Sequence, residues 1–343
     1  MFAVRSKSMK NSVGRGQNTM PHPLLQRHDV IDQNTTAYTA VFHESLMELM
    51  KDHTIGGRTI LPGAGFVEMA LAATVAEHES RIGGGGALTC DSVELEDISF
   101  LEPFTLPIHE GMSDNEQTST KHLNTANLTC EVAALGGANF RDSGIDENAD
   151  NPRTIYCQVN ERRVVGSSKW RTQESNAIKQ CIEPNGTISL ATLKEQCCQE
   201  VKSLKERYRV LENEFGMHKG QFQTLAQVWR NRKDSDDFKE ELLARVILPP
   251  DWKRYHLHPA TLDGVFQLVG LITSASNGAD LDNSSLWVPA SIQKLKCLPL
   301  LVVTPLLLAK LDQQQVYGRM LEWWRQPPPS ECWTLPSTMM MEK

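Results

Sequence analysis

Residues 52–80 read DHTIGGRTILPGAGFVEMALAATVAEHES, and this stretch decides the fold. It begins with extended, β-branched residues, passes through Pro62 with Gly63 behind it, and then takes up a helical period. Phe66, Met69, Ala70 and Ala73 fall at i, i+3, i+4 and i+7, which is one face of a helix. Proline has no N–H to lose at a helix start and a φ already set for it, so Pro62 marks that start. The four glycines at 83–86 are expected to end the helix.

Working outward, SVELEDISFLEPFTLP alternates in part, with Val93, Leu95 and Asp97 on one side, and reads as a strand. Residues 128–135 (LTCEVAAL), 154–160 and 163–170 read as further strands, separated by polar loops at 111–125 and 136–153. One helix followed by antiparallel strands is an α+β pattern, not βαβ alternation. CIEPNGTIS at 181–189 has the composition of a linker, and 190–211 reads as an amphipathic helix. Strand-like stretches follow at 222–229 and 241–248. Then comes a second segment of the same design, YHLHPATLDGVFQLVGLITSAS at 255–276, in which Pro259 opens a helix with Leu262, Val265, Phe266, Val269 and Ile272 on its apolar face. Residues 292–298 and 301–311 read as strands, and no period is visible from Gln313 on.

The 343 residues suffice for one large domain or two ordinary ones. With 35 basic and 42 acidic side chains the formal charge is −7, which speaks against a nucleic-acid binder. The longest apolar run, 298–309, is short and broken by Pro299 and Pro305, so no membrane span is expected. Eight cysteines without a C-x-x-C pair or a secretory signal read as reduced, mostly buried thiols. The first 28 residues carry Arg5, Lys7, Lys10, Arg15 and Arg27 and no acidic residue. A basic tail is favoured over an organelle transit peptide, and the expected location is cytoplasmic.

His53, Gly57 and Pro62 form an H-x-x-x-G-x-x-x-x-P pattern. Gly57 permits a backbone shape or close approach that a side chain would block. A histidine held beside the start of a helix is kept neutral by the helix's positive end, and a neutral imidazole is what a general base requires. The alternative is a hydrogen-bonded strand histidine. Asp263 lies among Leu262, Val265 and Phe266, where desolvation would favour a protonated general acid. Gln267, four residues on, shares its helix face and could orient it; an exposed Asp with a surface Gln is the alternative. His256 and His258 offer two metal ligands without a third at a recognisable spacing. His218 and Lys219, in a glycine-flanked turn, could line the entrance for a phosphate-bearing substrate or simply be solvated. Nucleophile-elbow, Walker and dinucleotide fingerprints are absent.

HTIGGRTILPGAGFVEMALAAT and HPATLDGVFQL together resemble the two signatures of the dehydratase domain of polyketide synthases and animal-type fatty acid synthases. MPHPLLQR, LEDISFLEPFTL, YRVLENEFGMHKGQFQTLAQVWR and WVPASIQKL add to the resemblance, which covers roughly residues 21–300. It implies an α+β double hotdog, two subdomains each with a long central helix wrapped by an antiparallel sheet. The expected layout is a basic tail at 1–20, an N-terminal hotdog at 21–180, the linker at 181–189, a C-terminal hotdog at 190–312, left incomplete, and an unassigned tail at 313–343. By resemblance His53 is the general base and Asp263 the general acid in removing water from a β-hydroxyacyl thioester. Gly57, Pro62, Gly63, Phe222, His258 and Gln267 would line or support the substrate site, with a backbone amide near Gly63 polarising the thioester carbonyl. The substrate would ride on the phosphopantetheine of an acyl carrier protein, with no bound cofactor or metal. Other synthase domains are implied partners, and a homodimer follows by analogy. An inactive double-hotdog scaffold and a hotdog thioesterase or product-template-like cyclase are the other readings. The chain departs from the family in two motifs. His218, Lys219, Gly220, Gln221 and Phe222 stand where the family has Y-G-P-x-F, and Trp170, Arg171, Thr172 and Gln173 stand where it has W-x-x-H.

Overall fold

The computed structural model describes residues 22–82, 92–107, 126–134, 136–142, 154–165, 199–202, 204–217, 219–230, 242–275, 287–297 and 317–319. The glycine run at 83–86, the loop at 111–125, the linker at 181–189, the strand expected at 301–311 and His218 lie outside them. The first half contains β1 (Arg27–Val30), β2 (Thr35–Val41), α1 (Glu44–Met50), β3 (Thr54–Ile55), β4 (Arg58–Thr59), α2 (Gly63–Ile82), β5 (Ser92–Phe100), β6 (Asn127–Ala133), β7 (Ala138–Asp142) and β8 (Ile155–Val165). The second contains β9 (Gln199–Glu200), α3 (Leu204–Phe215), a 3-10 turn (Gly220–Phe222), β10 (Leu225–Arg230), β11 (Leu242–Val246), a 3-10 turn (Trp252–Arg254), α4 (Pro259–Ala275), β12 (Trp287–Pro289), β13 (Ser291–Cys297) and β14 (Tyr317–Arg319).

The helix α2 begins directly after Pro62 and is buried on all sides from Ala64 to Thr74, then half-buried over 75–78 and exposed at Glu79, Ser80 and Arg81. A helix apolar all round belongs in a core, not on a surface. It lies against an antiparallel sheet ordered β1-β2-β6-β7-β8-β5-β13. Alternate side chains of that sheet point at it: Leu128, Cys130 and Val132 from β6, Ala138 and Phe140 from β7, Cys157 and Val159 from β8. Phe66 meets Phe140 edge to face with ring centroids 5.4 Å apart. Cys130 and Cys157 are free thiols sealed in this layer, and burial pushes the Cys130 thiol up to about 12. The second half repeats the design on a smaller scale, with α4 packed beside the sheet β11-β10-β9. Phe222, Tyr255, Ala260, Leu262 and Phe266 join the same core as α2, so the two halves share one interior.

Several elements differ from the sequence reading. The inward row of β5 runs Val93, Leu95 and then Ile98, because Asp97 takes a left-handed φ of 52° and turns out to solvent. Aspartate tolerates that region better than most residues, and one such residue shifts the pleat by a step. Strand β7 lies inside the expected 136–153 loop; with only five residues its alternation is too short to stand out. The strands expected at 154–160 and 163–170 begin as a single strand, β8, through the charged pair Glu161–Arg162. Arg162 is accommodated because its Nε donates to the carbonyls of Gly136 (3.0 Å) and Gly137 (3.2 Å) and its Nη1 to Thr74 Oγ1 (3.2 Å). Its Nη2 donates to Ala133 O, so one guanidinium closes the β6–β7 turn. The helix expected over 190–211 starts at Leu204 and runs to Phe215, and Gln199–Glu200 instead extend the edge of β10. Strand β13, within the segment expected to form the second hotdog, pairs with β5 of the first. In the stretch from Gln313, β14 pairs with β12.

Candidate active site

His53 is positioned by backbone on both sides. Its N–H donates to Met50 O (2.9 Å) at the end of α1. The hairpin β3–β4 then folds back, turning on Gly56 and Gly57 at φ 55° and 78°, a pair of positive values that glycine adopts without strain. Gly57 has open space around it, so its part in the H-x-x-x-G spacing is the sign of φ and not a close approach. The fold-back carries Ile60 across from His53. Ile60 N–H donates to His53 O (3.1 Å), and Ile60 O is 2.7 Å from His53 Nδ1. A carbonyl can only accept, so the ring proton sits on Nδ1 and Nε2 presents its lone pair. The residue is 5% exposed.

Asp263 sits one turn into α4, also 5% exposed. The start of α4 is set by Pro259 and by His258, whose Nδ1 accepts the Ala260 N–H (3.2 Å) while its carbonyl accepts Leu262 N–H (3.0 Å). His258 Nε2 lies 3.2 Å from Asp251 Oδ1 but out of line for a hydrogen bond, and burial lowers the ring's proton affinity. His258 therefore serves as a helix cap. Gln267 donates from Nε2 to Asp263 Oδ2 (2.7 Å) and to Phe222 O (3.0 Å). The other carboxylate oxygen, Oδ1, stands 3.9 Å from His53 Nε2. The two candidate groups, 210 residues apart in sequence, thus face each other in a buried site.

The 3-10 turn at Gly220–Phe222 spans both. Asp52, the neighbour of His53, accepts Gln221 N–H at Oδ2 (3.1 Å) and Lys219 N–H at its backbone oxygen (3.1 Å). Thr54 donates its hydroxyl to Gly216 O. Gly220 has φ 45°, and a Cβ there would come within 2.2 Å of Asp52 Oδ2, so only glycine fits under the carboxylate. At the far end Phe222, fully buried, sets its ring 5.0 Å from that of His53. Asp52 thus ties this turn to the segment that carries His53. Gly63, the first residue of α2, faces the Phe100 ring, which a Cβ would meet at 3.1 Å.

Glu68, in the second turn of α2, has no exposed surface. Its Oε1 accepts from His22 Nε2 (2.9 Å) and His256 N–H (2.6 Å), and its Oε2 from Leu257 N–H (2.7 Å). Because Leu24 N–H occupies His22 Nδ1 (3.2 Å), the His22 proton is on Nε2 and points at the carboxylate. The His256 ring stacks on His22 with centroids 5.6 Å apart. The H-x-H pair is thus divided between two structural tasks, and among the described residues no group of three or more metal-ligating side chains occurs.

Gly264, next to Asp263, lets α4 lie against Thr224, whose hydroxyl donates to Ala260 O (3.2 Å). A Cβ at 264 would fall 2.0 Å from Thr224 Oγ1 and 3.3 Å from its Cβ. Alanine gains about 1 kcal/mol in helix propensity over glycine. The clash outweighs it, and overpacking of this kind costs about 1–3 kcal/mol. Gly264→Ala is expected to lower stability in urea titration, and adding Thr224→Ala should recover part of the loss.

The structure brings together four residues that the sequence had offered: His53, Asp263, Gln267 and Phe222. Asp52, Glu68 and Tyr208 were not anticipated. Tyr208 carried one signal, a phenol on the face of α3 shared with Leu204 and Leu211 in a helix otherwise rich in charge. Its hydroxyl donates to Gln267 Oε1 (2.8 Å).

Residues 22–134 match the polyketide synthase dehydratase domain, and residues 186–316 match a second description, the polyketide synthase dehydratase N-terminal domain. Polyketide synthase PksM of Bacillus subtilis (strain 168) is 24% identical over 294 residues, covering 81% of this chain and 6% of PksM. The chain therefore spans a small part of the length of the curated relatives it matches. The dehydratase domain from the CurF module of curacin polyketide synthase superposes with a TM-score of 0.56 at 16% identity, covering 80% of this chain and 83% of its own. Two inactive mutants of the CurK dehydratase, one with histidine changed to phenylalanine and one with aspartate changed to asparagine, give 0.53 and 0.52 at 15% identity, covering 80% of this chain and 81% of theirs. With its two helix-bearing halves and their shared core, the chain has the α+β double-hotdog fold and belongs to the dehydratase domain family of polyketide synthases.

Proposed function

We propose that this domain removes water from a β-hydroxyacyl thioester on the phosphopantetheine arm of an acyl carrier protein, giving an α,β-unsaturated thioester within a polyketide synthase. The observation that carries the reading is the opposition of His53 Nε2 and Asp263 Oδ1 at 3.9 Å, with the ring tautomer fixed by Ile60 O. His53 Nε2 takes the α-proton; the electron pair of that C–H bond becomes the Cα–Cβ π bond, and the β-hydroxyl leaves with the proton of Asp263 as water. The pair takes one proton from carbon and gives one to oxygen, so it ends as imidazolium and carboxylate. One proton shift from Nε2 to Oδ1 restores the starting state. The N–H groups at the start of α2, around Gly63, are assigned to the thioester carbonyl, since the first amides of a helix have no partner within it. Pro62 and Phe222 shape the site beside the base, and Gly57 acts through the hairpin that presents it.

Two of the solved relatives lend support, being dehydratases inactivated by a single histidine or aspartate change. No cofactor enters the scheme. Carrier protein and neighbouring synthase domains are the partners it requires. The test is incubation with a β-hydroxyacyl pantetheine thioester, followed by mass spectrometry. Loss of one water from the intact thioester is expected. Release of the free acid would make the domain a thioesterase, and unchanged substrate with folded protein would make it a scaffold.

A further inference from the structure

We propose that Tyr208 is a positioning residue for Asp263: its hydroxyl, held by the Leu225 N–H, fixes the Gln267 amide so that an amide N–H occupies Oδ2 and the transferable proton is left on Oδ1, the oxygen facing His53. The inference rests on the acid role proposed for Asp263.

The direction of each hydrogen bond follows from what the groups can do. Leu225 N–H, 3.2 Å from the Tyr208 oxygen, can only donate. The phenol accepts it and sends its single proton to Gln267 Oε1 at 2.8 Å. With the oxygen end of the amide settled, both amide protons point the other way, one to Phe222 O (3.0 Å) and one to Asp263 Oδ2 (2.7 Å). Phe222 O is itself an obligate acceptor, so the two ends of the amide agree on one orientation. A carboxylic acid accepts a hydrogen bond better at its carbonyl oxygen than at its hydroxyl. The Gln267 N–H therefore makes Oδ2 the carbonyl and Oδ1 the hydroxyl. Without that direction the acid could hold its proton on the oxygen turned away from the base, where it would not reach the leaving group.

Tyr208 suits the task. It is 7% exposed and packed with Leu204, Leu225 and Val228. Burial raises its hydroxyl's pKa above the ordinary range, so the group stays a donor throughout any working pH. The Leu225 N–H at the start of β10 anchors it on rigid backbone. His53, from the segment ahead of β3, and Tyr208, from α3, are titratable groups that meet Asp263 among the described residues.

The experiment is a double-mutant cycle of Tyr208→Phe and Gln267→Ala on the full chain, with Asp263→Asn and wild type alongside, read as kcat, KM and the pH dependence of kcat. Tyr208→Phe is expected to lower kcat roughly tenfold with KM unchanged, since a small misplacement of a reacting group is enough for that. The basic limb of its kcat profile should move. In the Gln267→Ala background the same change should add less than about a factor of two, because Tyr208 acts only through the amide. A phenylalanine that merely loosens packing would multiply with Gln267→Ala and raise no pH effect, and that result would overturn the relay. Full kcat in Tyr208→Phe would overturn it as well. Should Tyr208→Phe melt below the assay temperature, 3-fluorotyrosine at 208 keeps shape and hydroxyl while strengthening the donor. It must then move the basic limb, and an unmoved limb counts against the relay. Activity retained by Asp263→Asn, or none in wild type, removes the acid role itself and the relay with it, an outcome distinct from a relay that fails beside a working acid.

Discussion

His53→Ala is expected to fold, to melt within a few degrees of the parent and to dehydrate a β-hydroxyacyl thioester about a thousand-fold more slowly. That loss corresponds to about 4 kcal/mol of transition-state stabilisation. The effect should fall on kcat, with KM little changed, since in the proposed scheme the imidazole touches the substrate chiefly through the proton it removes. Asp263→Asn should be equally severe, because asparagine can keep its place beside Gln267 but cannot supply the proton. The combined variant should be hardly worse than either alone, as base and acid serve one proton circuit. Single-turnover mass spectrometry with circular dichroism as the folding check measures all three. A His53→Ala protein that turns over within about tenfold of wild type would show that another group takes the α-proton, since a positioned base contributes far more than that.

The second large effect is structural. Glu68→Ala should destabilise the domain by several kcal/mol, since each donor left without its acceptor away from water costs about 1–3 kcal/mol. The loss comes from what is left behind: the N–H groups of His256 and Leu257 and the ring of His22, all of which point at the vacated carboxylate. Glu68→Gln should cost less, because its amide oxygen still accepts while its NH2 meets donors. Equilibrium urea unfolding separates the three proteins. Activity should fall in parallel, since residues 255–258 lead straight into α4 and Asp263 is carried on its second turn. If Glu68→Ala unfolds at the same urea concentration as wild type, the carboxylate is not what holds the halves in register.

What could be read from the sequence was local. Pro62 and Pro259 announce their helices because proline's fixed φ and missing N–H act within a single residue, and the apolar period after each is regular. Gln267 was placed on Asp263 by helix geometry alone. Strand β7 escaped notice because five residues hold little alternation. β8 was divided in two because Arg162 is charged, and its acceptors lie on a turn about 26 residues away. Asp52, Glu68 and Tyr208 were out of reach for one physical reason. Their partners, Gln221, Leu257 and Gln267, lie 169, 189 and 59 residues distant, and no spacing rule spans a chain reversal of that length. The Asp97 reversal in β5 depends on a single backbone angle that composition does not reveal.

The pairing of β13 with β5 bears on how the domain is made. Ser291 lies opposite Ser99 and Cys297 opposite Val93, and Lys294 closes the seam with Glu96 Oε1 at 2.7 Å and Glu94 Oε2 at 3.3 Å. On a ribosome adding about 5–20 residues each second, β5 waits roughly ten to forty seconds for its neighbour to emerge. Through that interval the first half carries an unpaired strand edge, the kind of surface on which nascent chains join one another. A contact of such long sequence separation also places the closing of the sheet late in folding. Yield of soluble protein should therefore respond to translation speed and chaperone supply more than the finished domain's stability would indicate, and the first half made alone should aggregate along β5.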